Sequence, residues 1–227
     1  MRVKYGSIVT DGSGKLGGHV ASKGRSGSVI RTKVTGTNPQ TPKQNSTRAL
    51  LGSLAAGWSS LTEEQRQSFD SAVDKFKSTD IFGDVHNPSG YTLYIKLNFN
   101  LVSAGFAQLT SAPEPQALEY NPAIQVDFYL PYPESSLILF QFEEYSGYRY
   151  MIKASPAVSP GINNGKSLLA VIGYQNNDST YLTFGYDYLA RYPNPTVGNY
   201  IFVSVTRIYD NGQKGQEYFL RCIVIGA

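Results

Sequence analysis

Apolar residues follow two different periods along this chain. Between Leu50 and Val102 they recur every three or four positions, the spacing of helices that bury one face; beyond Pro115 they alternate, the spacing of half-buried strands. The helical part opens at Thr41-Pro42-Lys43-Gln44, where Thr41 can act as N-cap, Pro42 suits the first helical position and Gln44 can reach back to complete a capping box. A helix is predicted to about Ser60, with Leu51, Ala55 and Trp58 on its apolar face, Leu50 and Leu54 on the adjoining row, and Trp58 as the anchor. Leu61-Thr62-Glu63-Glu64-Gln65 repeats the signal with two carboxylates in the first turn. The second helix runs to about Lys77 with Phe69, Ala72, Val73 and Phe76 as one stripe, and the two helices are expected to form an antiparallel hairpin. A third helix is predicted from a Ser89 cap through Ala104, ended by Gly105; it is apolar nearly all round, which demands cover on several sides.

Ser111-Ala112-Pro113-Glu114-Pro115 reads as a linker, and fourteen of the seventeen tyrosines lie after it. Seven strand-like runs follow, over residues 123–130, 137–144, 147–153, 167–174, 180–186, 199–209 and 216–225. Asp210-Asn211-Gly212 marks a hairpin between the last two. That number of short strands predicts a sandwich of immunoglobulin or fibronectin type III kind, with a small barrel as the alternative. Ahead of the helices, residues 1–40 are rich in glycine, serine and threonine, with β-prone runs over 4–10, 19–22 and 28–34. Their apolar area is too small to offset backbone entropy, so order through a partner is expected. The fold class predicted is therefore α+β and multidomain: an extended basic β-prone arm over 1–40, a helical hairpin or three-helix docking unit over 41–110, and an all-β sandwich over 116–227.

Charge sharpens this division. Residues 1–50 hold nine Lys and Arg against the single acid Asp11, whereas the remainder holds eleven basic and sixteen acidic residues, so head-to-tail contacts between copies are electrostatically favoured. The 227 residues contain no run of about eighteen apolar positions for a membrane span, and the N-terminus lacks the apolar stretch of a secretory signal. With Cys222 the only cysteine and His19 and His86 the only histidines, no internal disulfide or zinc cage of nitrogen and sulfur ligands can be assembled. Cys222 lies in a strand-like run and reads as a small buried apolar residue.

No set of residues has the make-up of an active site, so no catalytic, cofactor or metal role is assigned and a non-enzymatic protein is expected. Gly12-Ser13-Gly14-Lys15-Leu16-Gly17 has the spacing of a dinucleotide-binding turn, but no amphipathic helix follows and Arg31 to Lys33 is basic where an acid belongs. As a phosphate loop it lacks the first glycine, replaced by Val9, and the magnesium-binding hydroxyl, replaced by Leu16. Glu63-Glu64 and Glu143-Glu144 are adjacent pairs whose side chains diverge, and His19 and His86 lack a positioned partner. The candidates are instead interaction residues. Lys15, Lys23, Arg25, Arg31 and Lys33 form a tethered basic stripe for protein carboxylates or, alternatively, for nucleic acid phosphates. Trp58 anchors the helices. Tyr186, Tyr188 and Tyr192 are surface candidates for a protein interface or, alternatively, a glycan.

Gly24-Arg25, Gly27, Arg31, Asn38-Pro39, Thr41, Gln44, Arg48, Trp58, Leu61-Thr62, Gln65-Arg66, Ala72, Gly90, Asn98 and Gly105 together resemble a pattern in virion proteins of tailed bacteriophages, over roughly residues 12–106. A glycine and arginine arm, an asparagine-proline knuckle, a tryptophan before a leucine-threonine helix start and a later glycine and asparagine helix carry the likeness. The sequence departs from it at Phe69, where relatives carry a second tryptophan. The second half is similar in architecture to small proteins of Bacteroidota and their crAss-like phages. The resemblance implies a multicopy structural protein located in the virion and assembled in the host cytoplasm, away from membranes, with major capsid, portal-vertex or neck proteins as partners. An auxiliary capsid or head protein leads; a neck, tail ring or fibre component, a DNA-associated packaged protein and a glycan-binding adhesin are the alternatives.

Overall fold

The structure, a computed structural model, describes residues 12–24, 27–36, 38–79, 85–118, 124–130, 137–140, 147–176 and 181–226. The strand expected over residues 4–10, Arg25 and the Glu143-Glu144 pair lie outside them, as does the side chain of His86. The fold is mixed α+β with more sheet than helix, and it divides into two compact units, Met1–Ser46 and Thr47–Ala227.

In the first unit, β1 (Gly14–Leu16), β2 (His19–Gly24) and β3 (Gly27–Thr32) form an antiparallel meander. Gly17, at φ +56°, opens the two-residue turn that reverses β1 into β2, and Lys33 N donates to Gly18 O at 2.8 Å just beyond β3. The glycine run thus turns a hairpin instead of entering a helix. None of the described residues of this unit is buried; Leu16 and Val34 are 72% and 83% exposed.

Both helix starts read from the sequence are formed. At α1 (Pro42–Ser60), Gln44 N donates to Thr41 Oγ1 and Thr41 N to Gln44 Oε1, each at 3.3 Å. Helix α2 (Glu63–Ala72) has the same box between Thr62 and Gln65, and ends in a tight 3-10 turn over Val73–Lys75. A two-residue pair of strands, β4 (Ser78–Thr79) and β5 (Val85–His86), leads to α3 (Gly90–Ser103), which is capped by Ser89 and closed by Gly105 at φ +81°. There Phe106 N donates to Leu101 O and Gly105 N to Val102 O, the paired bonds that satisfy the last carbonyls of a helix.

The main helix pairing is α2 on α3, not α1 on α2. Asp70 of α2 accepts from Gly90 N at 3.2 Å, and a Cβ on Gly90 would stand 2.9 Å from the backbone nitrogen of Asp70. Helix α1 contributes Leu54, buried, with Leu50 and Trp58 beside it; Leu51, expected on the packed face, is 40% exposed. The row at intervals of four faces the core because it continues through Leu50, Leu54 and Trp58 without a gap.

The C-terminal sheet contains β6 (Ile124–Leu130), β7 (Leu137–Phe140), β8 (Tyr148–Ala154), β9 (Ala170–Asn176), β10 (Tyr181–Thr183), β11 (Tyr200–Tyr209) and β12 (Lys214–Gly226). Its order is β10-β7-β6-β12-β11-β8-β9, antiparallel except where β12 runs parallel to β6. The sheet curls until its ends meet: Gln175 of β9 donates from Nε2 to the Thr183 carbonyl of β10 and, at 3.0 Å, to Asp187. The run expected as a strand over 180–186 instead breaks after Thr183 into α4 (Gly185–Leu189). A continued strand would point Phe184 and Tyr188 along the same face at long spacing, whereas the helical turn brings both rings onto Phe128, at 5.7 and 5.0 Å between centroids.

Strand β11 is buried on both faces from Ile201 to Tyr209. Ile201, Val203 and Val205 enter the curl of the sheet, while Ile208 on the opposite face meets Ala104 and Met151 under the end of α3. The β11–β12 turn then docks on α3: buried Asn100 Nδ2 donates to Gly212 O at 2.8 Å, and Gly212, at φ +81°, leaves no room for a Cβ, which would lie 2.9 Å from Leu97 Cα. Gln116 N to Gln213 Oε1 at 2.7 Å and Asn211 Nδ2 to Glu114 O at 3.2 Å tie the intervening segment to the same turn.

Because this contact joins helices to sheet, unfolding of residues 47–227 should be a single event. Fluorescence of Trp58, the only tryptophan, and far-UV circular dichroism should give superimposable urea transitions. Gly212→Ala should lower stability by about 2–4 kcal/mol through left-handed strain and overpacking together. An unchanged midpoint would remove the turn from that role.

Candidate interaction surfaces

Strand register decides which basic residues of the first unit act together. Lys15 pairs with Val20, and Val20 with Arg31, so the two charges flank one valine on the same face of the meander. Lys23, opposite Ser28, belongs to the other face with Ala21 and Ile30. Lys33 follows β3, and Arg25 lies outside the described residues. Lys15, Arg31 and Lys33 are all exposed. The arrangement can present a guanidinium fork and an ammonium side by side to carboxylates.

Trp58 is half-buried at the centre of an aromatic cluster. Its ring meets Phe69 and Tyr91 edge-on at 6.0 and 5.7 Å and Tyr94 at a tilt at 5.2 Å. Beside it, Leu51 and Tyr91 are 40% and 43% exposed. The tryptophan is thus primarily a packing residue of the helical core.

The three tyrosines do not form a surface group. Tyr186 is 66% exposed, but Tyr188 is fully buried against Phe128, and Tyr192 is half-buried with its hydroxyl donating to Ala154 O at 3.1 Å. Burial raises the Tyr188 hydroxyl well above the ordinary tyrosine range. The short helix α4 is the reason: positions two apart point to opposite sides of a helical turn, so Tyr186 and Tyr188 separate.

Two features escaped the sequence reading. On the outer face of the sheet a groove of about 310 Å³ is lined by Lys153, Lys166, Leu169, Val171, Glu217 and Phe219. Lys153 Nζ donates to Glu217 Oε1 at 2.6 Å and Ser204 Oγ donates to the same oxygen. These two bonds hold the Glu217 carboxyl below the usual carboxylate range, against the opposing effect of burial. Lys166 stands 5.3 Å over the Phe219 ring, which itself stacks on Phe202 at 5.5 Å. The second is a lysine-lined pocket where α3 meets the β11–β12 turn. Its residues are scattered from 75 to 214, and no local motif connects them.

Among the described residues no group of three or more His, Cys, Asp or Glu could hold a metal ion, and no helix is long and apolar enough to cross a membrane. Cys222 is buried, its thiol donates to Ile201 O at 3.3 Å, and burial pushes its pKa up to about 12. A disulfide-exchange reagent at pH 8 should therefore leave the native protein unmodified on a timescale of minutes and react with one thiol after denaturation. Rapid native labelling would contradict the packing around β12. No family model, curated protein or solved structure matches this chain.

Proposed function

We propose that this chain is a non-enzymatic structural protein of tailed bacteriophage particles, an auxiliary capsid or head protein that joins its partners through the N-terminal meander and the helices. The observation that carries the reading is the meander itself. It has three strands and no buried residue among those described, and the basic charge of the chain is concentrated around it. Ordering a backbone costs about 1–2 kcal/mol per residue, and a sheet with no buried residue among those described gains that back by lying on another surface. Lys15 and Arg31, on one face, favour an acidic one.

We further read the C-terminal sheet as a sandwich of fibronectin type III kind. With β6 to β12 taken as A, B, C, C′, E, F and G, the observed order is E-B-A followed by G-F-C-C′, joined by the parallel contact of A with G. Such a module displayed on a particle suits a head or neck protein. The glycan-binding alternative is left with Tyr186 alone of its three tyrosines.

The concentration of nine basic residues in the first fifty also favours a second reading, a packaged protein that holds DNA phosphates. The two separate by experiment. Deleting residues 1–40 should leave a soluble protein with an intact circular dichroism spectrum that no longer joins particles, as seen by cryo-electron microscopy of purified virions. The double charge reversal Lys15→Glu with Arg31→Glu should reduce copy number less completely. Incorporation of the deletion variant at wild-type stoichiometry would sink the assembly role. Tight, steeply salt-dependent association of the full chain with DNA, with no density on the particle, would favour the packaged binder.

A further inference from the structure

Lys75, Lys77, Lys96 and Lys214 come from the turn after α2, from α3 and from the start of β12, yet they line one pocket of about 260 Å³. Its floor is apolar: Phe76, Leu93 and Leu97 belong to the helical core, and Leu118, 49% exposed, stands at its edge. Two of the four ammonium groups have acids close by. Lys75 Nζ lies 2.6 Å from Glu114 Oε1, and Lys77 Nζ 3.7 Å from Asp74 Oδ1, an oxygen that also accepts from Asn87 Nδ2 at 2.8 Å.

Among the described residues, Lys96 and Lys214 reach no carboxylate at salt-bridge distance. Lys214 is exposed as a residue, yet its ammonium is held below the ordinary lysine range, first by partial desolvation and then by Lys153 and Lys96, with Glu217 opposing. Like charges that converge on a part-apolar recess carry an electrostatic cost that an anionic occupant relieves.

We infer that this pocket docks an acidic segment of a partner protein, seating one leucine-sized side chain against Leu118, the exposed apolar residue of its lining, while flanking carboxylates meet Lys96 and Lys214. The lining argues against a nucleic acid occupant. A phosphodiester chain would leave Leu118 uncovered, and Phe76, 8% exposed, offers no face for a base to stack on. An apolar contact with a polar rim is the common anatomy of a protein interface. The inference does not rest on the virion reading, since none of the lining residues belongs to the meander and the ligand can be tested in solution.

The test uses the full chain and a fluorescein-labelled peptide with one leucine between pairs of glutamates, followed by fluorescence anisotropy. Lys96→Glu with Lys214→Glu should weaken binding at least tenfold, and Lys96→Gln with Lys214→Gln by about threefold to tenfold. Lys43→Glu, an exposed charge reversal at the start of α1, should leave it unaltered. A peptide with serine in place of leucine should bind about tenfold more weakly. The inference fails if the wild-type chain does not bind the peptide, if the pocket variants bind like wild type, if Lys43→Glu loses binding as they do, or if serine replaces leucine without effect. It fails equally if a single-stranded oligonucleotide binds more tightly than the peptide and loses affinity in the same pocket variants.

Discussion

Helix α3 has apolar residues on nearly every side, and a helix of that kind holds its place only if several neighbours cover it. Helix α2 covers one side through the crossing at Gly90, where only a hydrogen atom separates the glycine Cα from Asp70. The β11–β12 turn covers another, and it comes close enough because Gly212 has no side chain and adopts a left-handed backbone. Asn100, buried between them, has its amide satisfied by the Gly212 carbonyl, so the contact contains a hydrogen bond where an unpaired polar group would be costly. The helical core and the outer face of the sheet therefore share α3 as a common wall.

That wall has consequences for both surfaces. Residues 106–118 are drawn across the β11–β12 turn by Gln116 and Glu114, so the proline-containing segment is anchored by side chains and main chain at its far end. The same geometry brings Lys75, Lys96 and Lys214 around one recess, and leaves Lys153 and Glu217 as a local ion pair further along the outer face. Charge in this unit is arranged in small neutralised or unneutralised groups, whereas in the first unit it follows the strand register of a meander with no buried residue among those described. The two units thus differ in how charge is set out, on one face of a strand pair in the first and around a recess beside Leu118 in the second.

Short-range order in the sequence determined much of this. Thr41 with Gln44, Thr62 with Gln65, Ser89 and Gly105 mark helix ends because a cap is satisfied within three or four residues of itself. The alternation after residue 123 and the Asp210-Asn211-Gly212 turn place seven strands for the same reason: pleat and turn are local properties. Tertiary structure decided what those signals leave open. Leu54 took the core in place of Leu51, and α2 chose α3 over α1, because packing selects between rows of similar hydrophobicity. Tyr188 turned inward when Phe184 and Phe128 offered ring contacts that outweighed continuing a strand. The lysine pocket exists only because residues more than a hundred positions apart converge on α3, and no spacing along a chain encodes a meeting of that kind.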